Sequence, residues 1–169
     1  RGGIQDAAQL YEIWCLIKII QLVEAEGWAC EEYPIGGFER VDDDFRAEER
    51  TTGAVKFEYE KVGLEKVKLD LLFQPTATAK PKDGVWSGMM AVPVVQRPDI
   101  VLRLHRNDLP NKPVYTWIFD AKYRLNGNNA PDDAVNQMHR YRDAILWSNE
   151  AGETVSTKLT RESIGAFVL

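Results

Sequence analysis

An acid and a lysine two positions apart close an apolar segment in the second half of the chain. Asp120 and Lys122 follow the run 114–119, and Pro98-Asp99 precedes a second apolar run twenty-one residues upstream. Because side chains alternate along a strand, Asp120 and Lys122 are expected on the same face of a sheet. Carboxylates are hard oxygen ligands for Mg²⁺, and a lysine beside them can orient or activate water and offset transition-state charge. These residue types therefore suit metal-dependent cleavage of a phosphodiester.

The same residues have a simpler interpretation. Asp-x-Lys tripeptides recur on solvated strand faces, and Pro-Asp is an ordinary entry to a strand. The motif needs support from elsewhere in the chain.

Glu12 is a third candidate acid. The segment 6–27 predicts a long helix that begins at Asp6 and ends at Gly27. Its apolar residues cover most of the circumference, so we expect it to be buried on most sides. Glu12 shares a stripe with Ala8, Cys15, Leu16, Ile19 and Val23. A buried carboxylate needs a cation, a donor or a proton. Two alternatives therefore remain open for Glu12: a salt bridge or hydrogen bond within the core, or a place in an acidic site.

A second helix is predicted from Pro131 to about Trp147, after a loop rich in Gly and Asn. Gln137 and Tyr141 are four residues apart and stack on its inward face. They either hydrogen-bond the sheet or serve the same site as the acids.

The remaining segments predict strands. Residues 55–62 and 67–73 have the character of strands, with Gly63 near a turn. Residues 85–86 and 89–95 suggest a further short strand before Pro98. The order of elements predicts an α/β (α+β) fold with a mixed central β-sheet flanked by helices.

Taken in order, Glu12, Pro98-Asp99, Asp120-x-Lys122 and Gln137-x-x-x-Tyr141 resemble the PD-(D/E)xK nuclease superfamily. The Gln-x-x-x-Tyr helix is typical of its RecB-like branch. The flanking segments 10–15, 97–102, 119–124 and 138–144 are similar to the nuclease domain of predicted bacterial virus-defence proteins, which are related to the nuclease subunit of McrBC-type restriction systems. The resemblance extends from Leu10 to Leu169.

The resemblance implies a restriction-endonuclease-like fold and a role for each motif. Asp99, Asp120 and the backbone carbonyl of Ala121 would bind Mg²⁺, for which Mn²⁺ can substitute, and Glu12 would complete the acidic cluster. Lys122 would lie at the scissile phosphate, with Gln137 and Tyr141 lining the site. The implied partners are DNA, a nucleotide-hydrolysing motor subunit and a second copy of the chain for double-strand cleavage.

The charge distribution bears on nucleic-acid binding. The chain carries 21 Lys and Arg against 26 Asp and Glu, a net charge of −5. The acidic excess lies in the first fifty residues, and the remainder is slightly basic. Arginines near the motifs, namely Arg97, Arg124 and Arg142, are therefore candidates for binding phosphate.

Length and composition fit one domain spanning residues 1–169. At 169 residues and 44% hydrophobic, the chain can bury a core. It begins with Arg1 and stops within an apolar run, so we expect a domain excised from a longer protein. No apolar run approaches a membrane span, and two cysteines without a metal-binding spacing favour a reducing cytoplasm.

Three functions follow from these residues. A metal-dependent DNA endonuclease acting against foreign DNA is the first. A non-catalytic module that binds DNA or a partner through the same fold is the second. A nuclease of the same chemistry acting on RNA or on free ends is the third, since phosphodiester chemistry alone does not separate these substrates.

Overall fold

A computed structural model gives the structure of the chain between Gly3 and Leu169, with gaps. The described residues are 3–32, 39–41, 44–46, 55–77, 89–92, 94–123, 132–147, 160–161 and 165–169. Within them the elements are, in chain order, α1 (Gly3–Ala25), β1 (Ala29–Glu32), β2 (Glu39–Val41), β3 (Asp44–Arg46), β4 (Val55–Glu60), β5 (Val67–Phe73), β6 (Met89–Ala91), β7 (Ile100–Arg106), β8 (Leu109–Asp120), α2 (Asp132–Ala144), β9 (Ile145–Trp147), β10 (Thr160–Arg161) and β11 (Gly165–Val168).

Helix α1 ends where its sequence predicts. Gly27 adopts a φ of 84°, and its N–H donates to the carbonyl of Glu24 while that of Trp28 donates to the carbonyl of Val23. This pair of bonds is a Schellman motif, which needs a left-handed residue and so favours glycine. The helix begins at Gly3, earlier than the predicted Asp6.

The prediction that α1 is buried on most sides is wrong. One face is buried, through Cys15, Leu16, Ile19 and Val23. Apolar residues outside that face are exposed, with Leu10 64% and Trp14 52% accessible. The apolar residues around the helix are more numerous than the sheet can cover, because the sheet packs against only one side.

Six strands form the central sheet in the order β1-β4-β5-β7-β8-β11. Neighbouring strands are antiparallel, except that β11 runs parallel to β8. The sheet is therefore mixed, as predicted, and helices flank it. The predicted strands at 55–62 and 67–73 are present as β4 and β5, and Gly63 turns between them with a φ of 84°.

Each face of the sheet carries its own core. The buried face of α1 packs on a cluster that includes Leu71, Phe73 and Ile100. The opposite face packs Leu72, Val101 and Ile118 against Met138 and Tyr141 of α2. Successive side chains of a strand therefore face the two cores in turn, as the strand period of two predicts. Both helices lie close to the strand ends that bear the candidate acids.

Helix α2 is shorter than predicted. It ends at Ala144 because residues 145–147 leave the helix as β9, which pairs antiparallel with β6. The strand predicted at 89–95 is correspondingly limited to β6, which also belongs to this smaller sheet with β9 and β10. Residues 85–86 and the predicted Gly- and Asn-rich loop lie outside the described residues.

In the described parts of the chain, neither helix combines the length and the apolar character needed to cross a membrane. Cys15 and Cys30 are not joined by a disulfide bond.

Candidate active site

Asp99 and Asp120 lie at the ends of neighbouring antiparallel strands. Ile100 of β7 pairs with Phe119 of β8, so the register brings Asp99 beside Asp120. The Oδ2 atom of Asp99 accepts a hydrogen bond of 2.7 Å from the N–H of Ala121. Backbone pairing between β7 and β8 ends next to this point, and the Asp99 carboxylate satisfies the N–H of Ala121 in its place. This bond fixes Asp99 against the Asp-Ala-Lys segment.

The Asp120 carboxylate is buried, with 1% of the residue accessible. Its Oδ1 atom lies 3.3 Å from the hydroxyl of Tyr141. Its Oδ2 atom lies 2.5 Å from Nζ of Lys122, and among the described residues it has no hydrogen-bond partner. A buried anionic oxygen with one lysine nearby is therefore only partly compensated.

The end of β8 is also held from its other side. The N–H of Leu169 donates to the carbonyl of Asp120 at 3.0 Å, and the N–H of Lys122 donates to the carbonyl of Leu169 at 3.4 Å. The parallel strand β11 therefore supports the backbone of the motif.

Glu12 approaches the acids from α1, within electrostatic reach of Asp120 and Lys122. It is partly buried, and its Oε2 atom accepts a hydrogen bond of 2.8 Å from Nε2 of Gln74. Burial raises the pKa of Glu12, as does the charge of Asp120, while Gln74 and Lys122 oppose that shift. Both alternatives raised by the sequence hold in part, because Glu12 is hydrogen-bonded and also lies within electrostatic reach of the acidic site.

Asp99 carries the clearest sign of crowded carboxylates. Burial, followed by the charges of Asp120 and Glu12, raises the pKa of Asp99 to about 7. The N–H of Ala121 and the charge of Lys122 favour the ionised form but do not outweigh those effects. Three acids and one lysine thus leave an excess of negative charge that a divalent cation would relieve.

Gln137 and Tyr141 connect α2 to this site. The Nε2 atom of Gln137 donates to the Tyr141 hydroxyl at 2.5 Å, and that hydroxyl also lies 3.0 Å from the carbonyl of Arg97. One hydroxyl proton serves either that carbonyl or Asp120 at a given moment. Burial and the charge of Asp120 raise the pKa of Tyr141, so the hydroxyl stays protonated and available as a donor.

The candidate arginines are placed differently. Arg97 is exposed and joins the site through its backbone carbonyl. Arg142 is exposed, pairs with Asp143 at 3.2 Å, and lines an open groove between α2 and β11. Arg124 lies outside the described residues. The structure therefore brings Glu12, Asp99, Asp120, Lys122, Gln137 and Tyr141 together, and it shows no side-chain contact between Arg97 or Arg142 and the acids.

A second buried acid has a different environment. The Oδ2 atom of Asp70 lies 3.2 Å from Nζ of Lys56 and 3.1 Å from Nε2 of His105. Burial alone would raise the pKa of Asp70, but contact with His105 and Lys56 lowers it. Compensated carboxylates of this kind stabilise a fold, whereas the crowded carboxylates at Asp99 and Asp120 are typical of functional sites.

The acids fit a divalent cation in chemistry but do not form a closed metal cage. Among the described residues, no group of three or more His, Cys, Asp or Glu is arranged to hold a metal ion. The unsatisfied Oδ2 of Asp120 and the elevated pKa of Asp99 nevertheless mark two carboxylates that lack sufficient positive charge nearby. Open coordination of this type suits Mg²⁺, which is commonly bound by one or two carboxylates together with water and substrate phosphate.

Sequence reasoning missed Gln74. Its polar side chain follows the apolar strand β5 and precedes a proline, a pattern typical of any strand that ends in a turn. No sequence signal indicated that it would contact Glu12.

A family model described as the PD-(D/E)XK nuclease superfamily matches residues 9–169. No curated protein matches the chain, and no solved structure matches it. The matched residues include every member of the candidate site.

Proposed function

Because this chain belongs to the PD-(D/E)XK nuclease superfamily, we propose that it is a metal-dependent endonuclease that hydrolyses phosphodiester bonds in DNA. The observation that carries the proposal is the meeting of Asp99, Asp120 and Lys122 at two neighbouring strand ends. Buried acids that are compensated by only one lysine lower the stability of the fold, so stability alone does not explain their presence. Carboxylates and a lysine in this arrangement are the groups that metal-dependent phosphodiester hydrolysis requires.

The proposed metal ligands are Asp99 and Asp120, with the carbonyl of Ala121, and with Glu12 directly or through water. Mg²⁺ is the proposed cofactor, and Mn²⁺ can substitute for it. When bound, the cation would polarise the phosphate and lower the pKa of a water ligand.

The other roles at the site belong to side chains of the protein. The Lys122 ammonium neutralises charge on the phosphate and orients the attacking water, for which its flexible stem and its position beside Asp120 are suited. Tyr141 and Gln137 hold the Asp120 carboxylate in place and exclude water from its buried side. We assign Arg97, Arg124 and Arg142 to the phosphates flanking the scissile bond.

The biological role that we propose is defence against foreign DNA, as in the McrBC-type systems that the motif segments resemble. We propose that residues 1–169 form a single nuclease domain of a longer cytoplasmic protein. A nucleotide-hydrolysing motor subunit would then select the substrate, and a second copy of the chain would allow both strands to be cut, since one such site cuts one strand.

The test is incubation of the purified chain with supercoiled plasmid, linear duplex and single-stranded RNA, each with Mg²⁺, Mn²⁺ or EDTA. Conversion of plasmid to nicked and linear forms in Mg²⁺ or Mn²⁺, and none in EDTA, is expected. Cleavage of RNA alone, or of linear ends alone, would indicate instead a nuclease of the same chemistry that acts on RNA or on free ends. No cleavage in any metal, with DNA still bound, would favour the non-catalytic binding module.

A further inference from the structure

Gln74 has a backbone conformation that its residue type disfavours. Its φ is 49°, and it is the single non-glycine residue with a positive φ among those that the structure describes. Side chains with a Cβ avoid this left-handed region, and a residue that precedes a proline, as Gln74 does, prefers an extended conformation. Such a conformation persists only where the surrounding contacts hold it, and it tends to occur at functional sites.

The contacts that hold Gln74 lead to two acids of the candidate site. Its backbone N–H donates to the carbonyl of Asp99 at 2.7 Å. Its side-chain Nε2 donates to Oε2 of Glu12 at 2.8 Å. Gln74 therefore links the end of β5, the residue immediately before β7 and the glutamate on α1.

The left-handed turn also explains which way the side chain lies. Along β5, Leu72 faces the α2 side of the sheet and Phe73 faces the α1 side. An extended continuation of the strand would direct Gln74 toward α2, as Leu72 is directed. The positive φ instead brings its amide to Glu12 on α1, while the backbone still pairs with Asp99.

We propose that Gln74 is a positioning residue that orients the Glu12 carboxylate toward the metal side of the site. This inference rests on the proposed function, which supplies the reason for orienting Glu12. A neutral amide can fix one oxygen of Glu12 without adding a positive charge that would compete with a cation, and the other oxygen remains for the site. Second-sphere donors of this kind commonly change metal affinity or activity by about 10–100-fold when removed.

The test compares wild type with Gln74→Gly and Gln74→Asn. Glycine removes the amide but accepts the left-handed backbone, so the protein should melt at the same or a higher temperature while its affinity for Mn²⁺, measured by calorimetry, falls about 10-fold or more. Asparagine keeps an amide and tolerates this backbone, so it should recover part of the lost affinity. The exposed amide Gln21 on α1 provides the matched control, and Gln21→Ala should bind Mn²⁺ as wild type does.

A double-mutant cycle with Glu12→Ala separates positioning from a general effect on the fold. If Gln74 acts through Glu12, Gln74→Gly should cause no further loss of Mn²⁺ affinity in the Glu12→Ala background. Equal Mn²⁺ affinity for wild type and Gln74→Gly, or an additive loss in the double variant, would overturn the proposal. A wild type whose Mn²⁺ affinity depends on Gln74 and Glu12 as described, but which cleaves no nucleic acid, would refute the proposed function and leave this inference standing.

Discussion

Burial of Asp99, together with repulsion from the neighbouring carboxylates, should make the stability of the protein in EDTA sensitive to pH. The folded protein raises the pKa of Asp99 from its ordinary value of 3.8 to about 7. Between these values the folded state binds more protons than the unfolded state, so the free energy of unfolding should fall as the pH rises and level off above 7. The upper limit is about 4 kcal/mol, and sharing of the repulsion among three acids makes the observed effect smaller.

Asp99→Asn should remove much of this dependence. Urea denaturation in EDTA at pH 4.5 and pH 8 should show that the variant gains stability relative to wild type at the higher pH. Parallel pH profiles for the two proteins would show that Asp99 does not titrate abnormally.

Tyr141 allows a second prediction for a single residue. Tyr141→Phe leaves the Gln137 amide without its acceptor and Asp120 without its hydroxyl donor in a buried position. Unfolding by denaturant should show a loss of about 1–3 kcal/mol. Tyr115→Phe, on an exposed tyrosine of β8, is the control and should change stability little. If Tyr141→Phe lowers the free energy of unfolding no more than Tyr115→Phe does, the hydroxyl network does not contribute to stability.

For a whole element, the one-sided burial of α1 gives a direct stability test. Leu16 is 1% accessible and Leu22 is 66% accessible on the same helix. Leu16→Ala should cost about 2–5 kcal/mol because it leaves a cavity against the sheet, whereas Leu22→Ala should change stability by about 0.5 kcal/mol or less. Similar losses at both positions, measured by thermal and urea unfolding, would show that α1 is covered on both sides.

The strands and the helix cap were predictable because their signals are local. Strand period, the turn at Gly63 and the glycine after α1 each depend on a few neighbouring residues. The exposure of Leu10 and Trp14 was not predictable, because an apolar sequence does not state how many faces other elements cover. The early end of α2 depends on pairing of β9 with β6, which is distant in sequence.

At the candidate site, the acids and the lysine were easier to predict than the residues that hold them in place. Asp99, Asp120 and Lys122 were candidates from residue type and spacing, and Glu12 was a candidate as an acid within an apolar stripe. Gln74 was not, because a left-handed glutamine before proline contradicts local preference and is stabilised only by partners elsewhere in the chain.

At the scale of the whole molecule, the net charge of −5 predicts that DNA binding depends on a divalent cation. Without one, the acids of the site repel phosphate, and a bound cation reverses the local field. Fluorescence anisotropy with a labelled duplex should show tighter binding in Ca²⁺ than in EDTA at the same ionic strength. Equal affinity in the two conditions would place the DNA on a surface other than the acidic site.

The most direct test of the central claim is the initial rate of nucleic-acid cleavage by two lysine variants in Mg²⁺ or Mn²⁺. Lys122 lies 2.5 Å from Asp120, whereas Lys66 is an exposed lysine in the turn before β5. Lys122→Met should reduce the rate by about 100-fold or more in protein that still unfolds cooperatively, with a lower melting temperature because buried Asp120 loses the cation beside it. Lys66→Met should cleave at the wild-type rate. Cleavage by Lys122→Met at the wild-type rate would contradict the assignment of this site as the catalytic centre.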